Sequence, residues 1–334
     1  MSLNDHVDWR QARRCLAVLL PVLLLWGVSG DMQWLRAAVV TVATLIGIER
    51  VQLAPSGVLL HGMAISIGYL LLLWALTMPL AFVIGCALLA AGAIGLSAFG
   101  RKLRSLGNFV FIPALYLACE TAEDGAPAQY LALGLRLLPY LALCLAPVWL
   151  LALFEHRRRR SEAPLWRHHA QLRFLRDAGV KMPVAEAMLA GGLAVACAAA
   201  WVEWRHPGHG QWVIWSAASV VTGDVLSAKQ KLRDRGLGAL LGVPLGIGAG
   251  ALLPHHPAVY ALIALGAVMT LVSFRRYPVG FAARCACAAG ALTVLNAPAG
   301  VAAERLINVL LGGAIGFVLV LAVNGLAQGK TTNP

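Results

Sequence analysis

Apolar residues run along the chain in twelve long stretches separated by short polar ones. They fall at 12–29, 34–49, 57–76, 79–98, 108–120 and 130–153, then at 183–201, 211–227, 236–253, 257–274, 279–296 and 300–325. A helix needs about 20 apolar residues to cross the hydrocarbon core of a bilayer, so each stretch predicts a spanning helix, with 108–120 the shortest. The charged interval from Glu155 to Lys181 divides them into six and six. The expected organisation is a first six-helix repeat over 1–154, a basic linker over 155–181 and a second six-helix repeat over 182–334. In the linker, Leu165, Leu172 and Leu175 beside arginines suit an interfacial helix. The basic N-terminus followed by Cys15–Val28 imitates a signal peptide, but no A-x-A-like site follows, so this stretch reads as the first span.

The positions of Lys and Arg test this count, because they gather in cytoplasmic loops. With the N-terminus inside, Arg10, Arg13, Arg14, Arg50, Arg101, Lys102 and Arg104 fall on the inner side. So do Arg157–Arg160, Lys229–Arg235, Arg275, Arg276 and Lys330. The opposite loops carry one basic residue, Arg205. A missing span would scramble that alternation, so an all-α polytopic membrane protein of about twelve helices is expected, both termini cytoplasmic.

Composition adds what the chain is not. Of its 334 residues 60% are hydrophobic and 13% charged, too few charges for a water-facing surface of this size, and twelve spans leave no length for a soluble catalytic domain. The net charge of +12 is accounted for by orientation and by attraction to anionic lipid, so nucleic acid is not an expected partner. The seven cysteines lie in or beside apolar stretches with no framework spacing, and read as small buried residues. Phosphate-binding and metalloprotease motifs are absent, so no enzyme activity, cofactor or metal is expected.

The halves resemble each other in the same order. SGDMQW (29–34) is matched by PGHGQW (207–212), Gly47-Ile48-Glu49 by Gly223-Asp224, and Arg136-Leu137-Leu138 by Arg305-Leu306-Ile307. Six helices per half place two such repeats the same way up, with a pathway between them. Gly238, Gly242, Gly246 and Gly250 line one face of the ninth span for close helix packing, and Pro244 among them is a bend or hinge candidate. Gly312 and Gly316 repeat the pattern in the twelfth.

Ionisable groups inside spans mark pathways or partners, since each costs a few kcal/mol at the bilayer centre. Arg36, Arg136, Arg284 and Arg305 are such groups, with snorkelling as the plain alternative. Arg136 and Arg305, at equivalent places, are expected with Arg36 to bind a substrate carboxylate. Glu49 and Asp224 are the expected proton-coupling acids, against simple pairing with Arg50 and Arg235. His61 reads as a structural histidine. His206, His209, His255 and His256, in two outer loops, keep a metal-ion transporter open as an alternative.

The segment WVIWSAASVVTGDVLSAKQKLRDRGLGALLGVPLGIGAGALLP resembles the fusaric acid resistance and aromatic acid exporter superfamily. There a span, a short basic inner turn and R-x-x-G-x-x-x-G opening the next helix correspond here to Lys229, Arg233, Arg235, Gly238 and Gly242. ERLINVLLGGAIGF (304–317) is similar to its closing helix. The resemblance implies a secondary, proton-driven exporter of aromatic carboxylates or related organic anions in the bacterial inner membrane, working with a periplasmic membrane-fusion protein. The large cytoplasmic domain of many relatives is reduced here to 155–181, which suits assembly with a second copy of the chain. The alternative of another class is a non-transporting membrane scaffold docking a partner or lipid through that linker.

Overall fold

The computed structural model describes residues 6–158 and 184–331. The interfacial helix expected around Leu165–Leu175 lies outside them. All regular structure among the described residues is helical. The helices are α1 (Trp9–Ser29), α2 (Gln33–Val51), α3 (Pro55–Ala75), α4 (Pro79–Gly95), α5 (Arg101–Ala122) and α6 (Tyr130–Arg158). Then follow α7 (Val184–Arg205), α8 (Gln211–Val220), α9 (Val225–Leu252), α10 (Pro257–Met269), α11 (Tyr277–Val294) and α12 (Ala299–Thr331). Among the described residues, nine helices are long and apolar enough to cross a membrane; α2, α8 and α10 are the others.

The reasons are local. Helix α2 has the length, 19 residues, but carries Arg36, Glu49 and Arg50, and it buries nearly every side chain from Ala37 to Ile48. Helix α8 has only ten residues, about 15 Å of rise. The span expected over 211–227 stops at Val220, where Val221 turns extended and Gly223 takes a φ of 105° that disfavours any other residue. Asp224 then caps α9, its carboxylate accepting from the Ser227 amide at 2.8 Å and the Ser227 hydroxyl at 2.7 Å. The basic segment Lys229–Arg235, expected as an inner turn, is therefore helix, and α9 starts ten residues before Arg235.

The chain divides into two compact units, Cys15–Val180 and Lys181–Pro334, the latter joined by the described residues up to Arg14. In the first unit α3 packs on α5 and α6, α2 on both, and α4 on α5. Thr41 Oγ1 donates to the Cys144 carbonyl at 2.7 Å, tying α2 to α6, and Tyr69 meets Thr121 at 3.2 Å between α3 and α5. His61, as expected, is a buried structural group, its Nε2 3.1 Å from the Phe109 carbonyl.

In the second unit α9 packs on α11 and α12, α8 on α12, α10 on α11, and α7 on α8 and α12. The α9 glycines lie against α11. A Cβ on Gly238, Gly242, Gly246 or Gly250 would run into Phe281, Ala282, Ala286 or Gly290 of α11. Gly312 and Gly316 let α12 lie on the backbone of α8 at Val213 and Ala217. Pro244 lies inside a helix that continues through it.

The residues before α1 join this unit by main-chain pairing. The Asp8 amide donates to the Ser273 carbonyl at 2.7 Å, the Arg275 amide to the His6 carbonyl at 2.9 Å, and Val7 bridges Phe274. The N-terminal segment and the α10–α11 connection thus lie on one side of the unit. At the other end, Asn308 near the start of α12 donates to the Gly208 carbonyl at 3.1 Å in the α7–α8 loop.

Candidate functional site

Three arginines converge inside the second unit. Arg284 lies seven residues into α11, about 10 Å along its axis, and Arg305 six residues into α12, about 9 Å along that one. The short α11–α12 connection makes these helices antiparallel neighbours, so the two side chains approach each other from opposite ends. Arg235 enters from α9, and α8 contributes Trp212 and Trp215. Together with Phe281 and Val309 they line a cavity of about 10 Å³, room for about one water molecule.

Each cation has an aromatic ring within about 6 Å. The Arg305 guanidinium lies 4.4 Å from the Trp212 ring centre, and Arg235 4.3 Å from Phe281. Arg284 is 5.9 Å from Phe281, and it donates from Nε to Thr270 Oγ1 at 3.0 Å and from Nη2 to the Thr270 carbonyl at 3.3 Å. Arg235 donates to Ser216 Oγ at 3.3 Å and to the Tyr277 hydroxyl at 3.2 Å. Ser216 in turn donates to the Val309 carbonyl at 2.6 Å. Lys231, one turn before Arg235, lies 3.3 Å from the Tyr277 ring centre.

Among the described residues no carboxylate lines the cavity and none of the three guanidiniums forms an ion pair. Arg235 and Arg305 are 4% and 5% exposed, and Arg305 Nε has no hydrogen-bond partner. An arginine at the bilayer centre costs roughly 3 kcal/mol, and a desolvated cation–π contact returns about 2 kcal/mol. Rings hold such a cation in place without cancelling its charge. The field left over is attractive to an anion, and the donor set suits a carboxylate.

The other expected residues are placed differently. Arg36, in the first unit, is bound by both carboxylate oxygens of Asp124 and by Gln33, which occupies the donors a substrate would need. Asp124, just beyond α5, is held below the ordinary carboxylate range, chiefly by its hydrogen bond from Arg36. Arg136 is exposed on α6, whereas Arg305 is buried, so the two do not share an environment. Glu49 is half-buried at the end of α2, and Arg50 donates to Ser105 Oγ at 3.0 Å. Asp224 is the α9 cap. Of the histidines, His209 stacks on Trp212 at 4.6 Å, and His256 Nδ1 caps α10 by accepting from the Ala258 amide at 3.1 Å.

Sequence reasoning singled out Arg284 and Arg305 but treated Arg235 as an inner-loop charge and passed over the aromatics. A signal was available. Lys231, Arg235, Gly238 and Gly242 continue one helical face, and so do Tyr277, Phe281 and Arg284.

No curated protein and no solved structure shows significant similarity to the chain. Residues 195–319, which include every residue of the cavity wall, match the family model described as fusaric acid resistance protein-like, so that over this span the chain shows the resemblance read from its motifs, to a family of membrane transport proteins of the efflux type.

Proposed function

We propose that this protein is a secondary transporter of organic anions, with aromatic carboxylates as its cargo, and that the cargo binds at Arg235, Arg284 and Arg305. The observation that carries this reading is three neighbouring guanidiniums, Arg235 and Arg305 buried and Arg284 half-buried, with aromatic partners in place of acidic ones. Helix α8, too short to cross the bilayer and followed by a break, supports it, because transporters commonly build binding sites from interrupted helices. A cavity of about 10 Å³ admits no aromatic ring, so the cycle includes a rearrangement of its walls. Corresponding pairs pack in the two units, α3 with α5 and α9 with α11, α2 with α6 and α8 with α12, which supports a parallel six-helix duplication.

The reading extends to export across a bacterial inner membrane driven by protons, with Glu49 and Asp224 as coupling acids, a periplasmic membrane-fusion protein as partner and a homo-oligomer as the working form. Purified protein in proteoliposomes loaded with radiolabelled benzoate tests it under an imposed pH gradient. Wild type should move benzoate, and Arg305→Gln and Arg284→Gln should each lower the rate at least about tenfold, the loss of one charge-assisted bond to cargo. Variants that export at the wild-type rate would remove the site assignment. Wild type that moves no anion, with or without the gradient, would remove the transporter reading.

A further inference from the structure

The cavity is too small for the cargo proposed for it, so something now in contact with the arginines must leave when an anion enters. The aromatic groups differ in how firmly they are held. Phe281 is 2% exposed and belongs to the buried cluster of Ala239, Val243, Cys285, Ala289, Ala302 and Val309. Trp212, half-buried near the start of α8, has His209 stacked on it and Arg305 at its ring. Tyr277 packs against the edge of that cluster but is half-buried, at the first position of α11, beside the exposed Arg275, Arg276, Pro278 and Val279.

Tyr277 also occupies the donors a carboxylate would use. Its hydroxyl accepts from Arg235 Nη1, its ring lies on the Lys231 ammonium, and it stacks on Phe281 with centres 5.9 Å apart and planes 20° apart. It therefore joins the basic α10–α11 end of the unit to Arg235 and Phe281 of the cavity wall.

We infer that Tyr277 is a built-in competitor of the cargo: its phenol holds Arg235 in the empty site, and an entering aromatic carboxylate displaces it, taking Arg235 with its oxygens and the face of Phe281 with its ring. This rests on the reading of the cavity as an anion site. The exchange is favourable because a carboxylate brings a full negative charge to the guanidinium and can accept two parallel bonds from it, where the phenol is neutral and accepts one. It also makes Tyr277 a determinant of specificity. Chloride can take the guanidinium but offers no ring for the stacking position that Tyr277 vacates, so it displaces the phenol poorly, whereas benzoate replaces both of its contacts.

The test is benzoate binding to the detergent-purified full chain, read by tryptophan fluorescence, since Trp212 and Trp215 line the cavity. Tyr277→Phe keeps the ring on Lys231 and removes the competing acceptor. It should bind benzoate about 10- to 100-fold more tightly than wild type, the worth of one hydrogen bond to a charged group, and the selectivity for benzoate over chloride should fall. Unchanged or weaker benzoate binding in Tyr277→Phe, with binding lost in Arg305→Gln, overturns the role of Tyr277 and leaves the site standing. Wild-type binding in Arg305→Gln overturns the site itself. A second measurement needs no variant: nitration of Tyr277 by tetranitromethane, followed by peptide mass spectrometry, should rise on adding benzoate. Nitration that stays level or falls overturns the inference, and it decides alone if Tyr277→Phe does not fold.

Discussion

Two glycines on the same helix should respond in opposite ways to the same substitution. Gly246 of α9 rests on the Ala286 backbone of α11, and a Cβ there would land on the Ala286 carbonyl oxygen, which cannot rotate aside as a side chain can. The helices would have to part by on the order of 1 Å, forfeiting about a quarter to a half of the dispersion energy between the facing atoms. Overpacking of this kind costs about 1–3 kcal/mol. Gly248, two residues on, has nothing within 4 Å of the same added atom. There Gly246's penalty is absent, and alanine's lower backbone entropy stabilises by about 0.5–1 kcal/mol. Thermal unfolding of each purified variant in one detergent, followed by intrinsic fluorescence, should show Gly246→Ala lowered by about 2–10 °C and Gly248→Ala unchanged or slightly raised. Equal shifts, or a larger loss at Gly248, would refute the account of α9–α11 packing.

Asp224→Asn should keep α9 capped and change stability by only a few tenths of a kcal/mol, while Asp224→Ala costs about 1 kcal/mol; if Asp224 also couples protons, Asp224→Asn alone abolishes pH-driven flux at wild-type stability, so measuring both separates the roles. The Arg36–Asp124 pair should make stability depend on acid. Because the folded pKa of Asp124 is depressed below its ordinary 3.8, its contribution is complete above that value and is lost as pH falls through the depressed one. Melting temperature should therefore fall more steeply in acid for wild type than for Asp124→Asn, and superimposable profiles would contradict the pairing.

How far the fold was legible depended on what kind of signal each element carries. The twelve apolar runs have their counterparts in α1–α12 because desolvation acts on every residue of a span, and a period of hydrophobicity survives local detail. The α9 glycines were readable for the same reason: four small residues at helical spacing have few other uses. Where the reading failed, a short polar sequence outweighed hydrophobicity. Thr222-Gly223-Asp224 ends α8 and starts α9, although the stretch around it is apolar, because a left-handed glycine and an aspartate cap are worth more than one further turn of α8. The site was partly legible. A buried arginine announces itself by its cost, so Arg284 and Arg305 stood out, but its partner does not. Arg36 found a carboxylate 88 residues away and Arg305 found a tryptophan, and nothing in the chain near either arginine distinguishes the two outcomes.

The main-chain pairing of His6–Asp8 with Ser273–Arg275 sets an order of events during biosynthesis. The first of these segments leaves the ribosome about 270 residues before its partner, and at roughly 5–20 residues per second it waits on the order of ten to fifty seconds with its amides unpaired. Closure of this strap therefore comes after α1 to α10 have been made, and marks the arrival of α11, the helix that brings Tyr277, Phe281 and Arg284. A bulky fusion ahead of residue 6 would stand in the way of that late step while leaving the earlier helices free to insert.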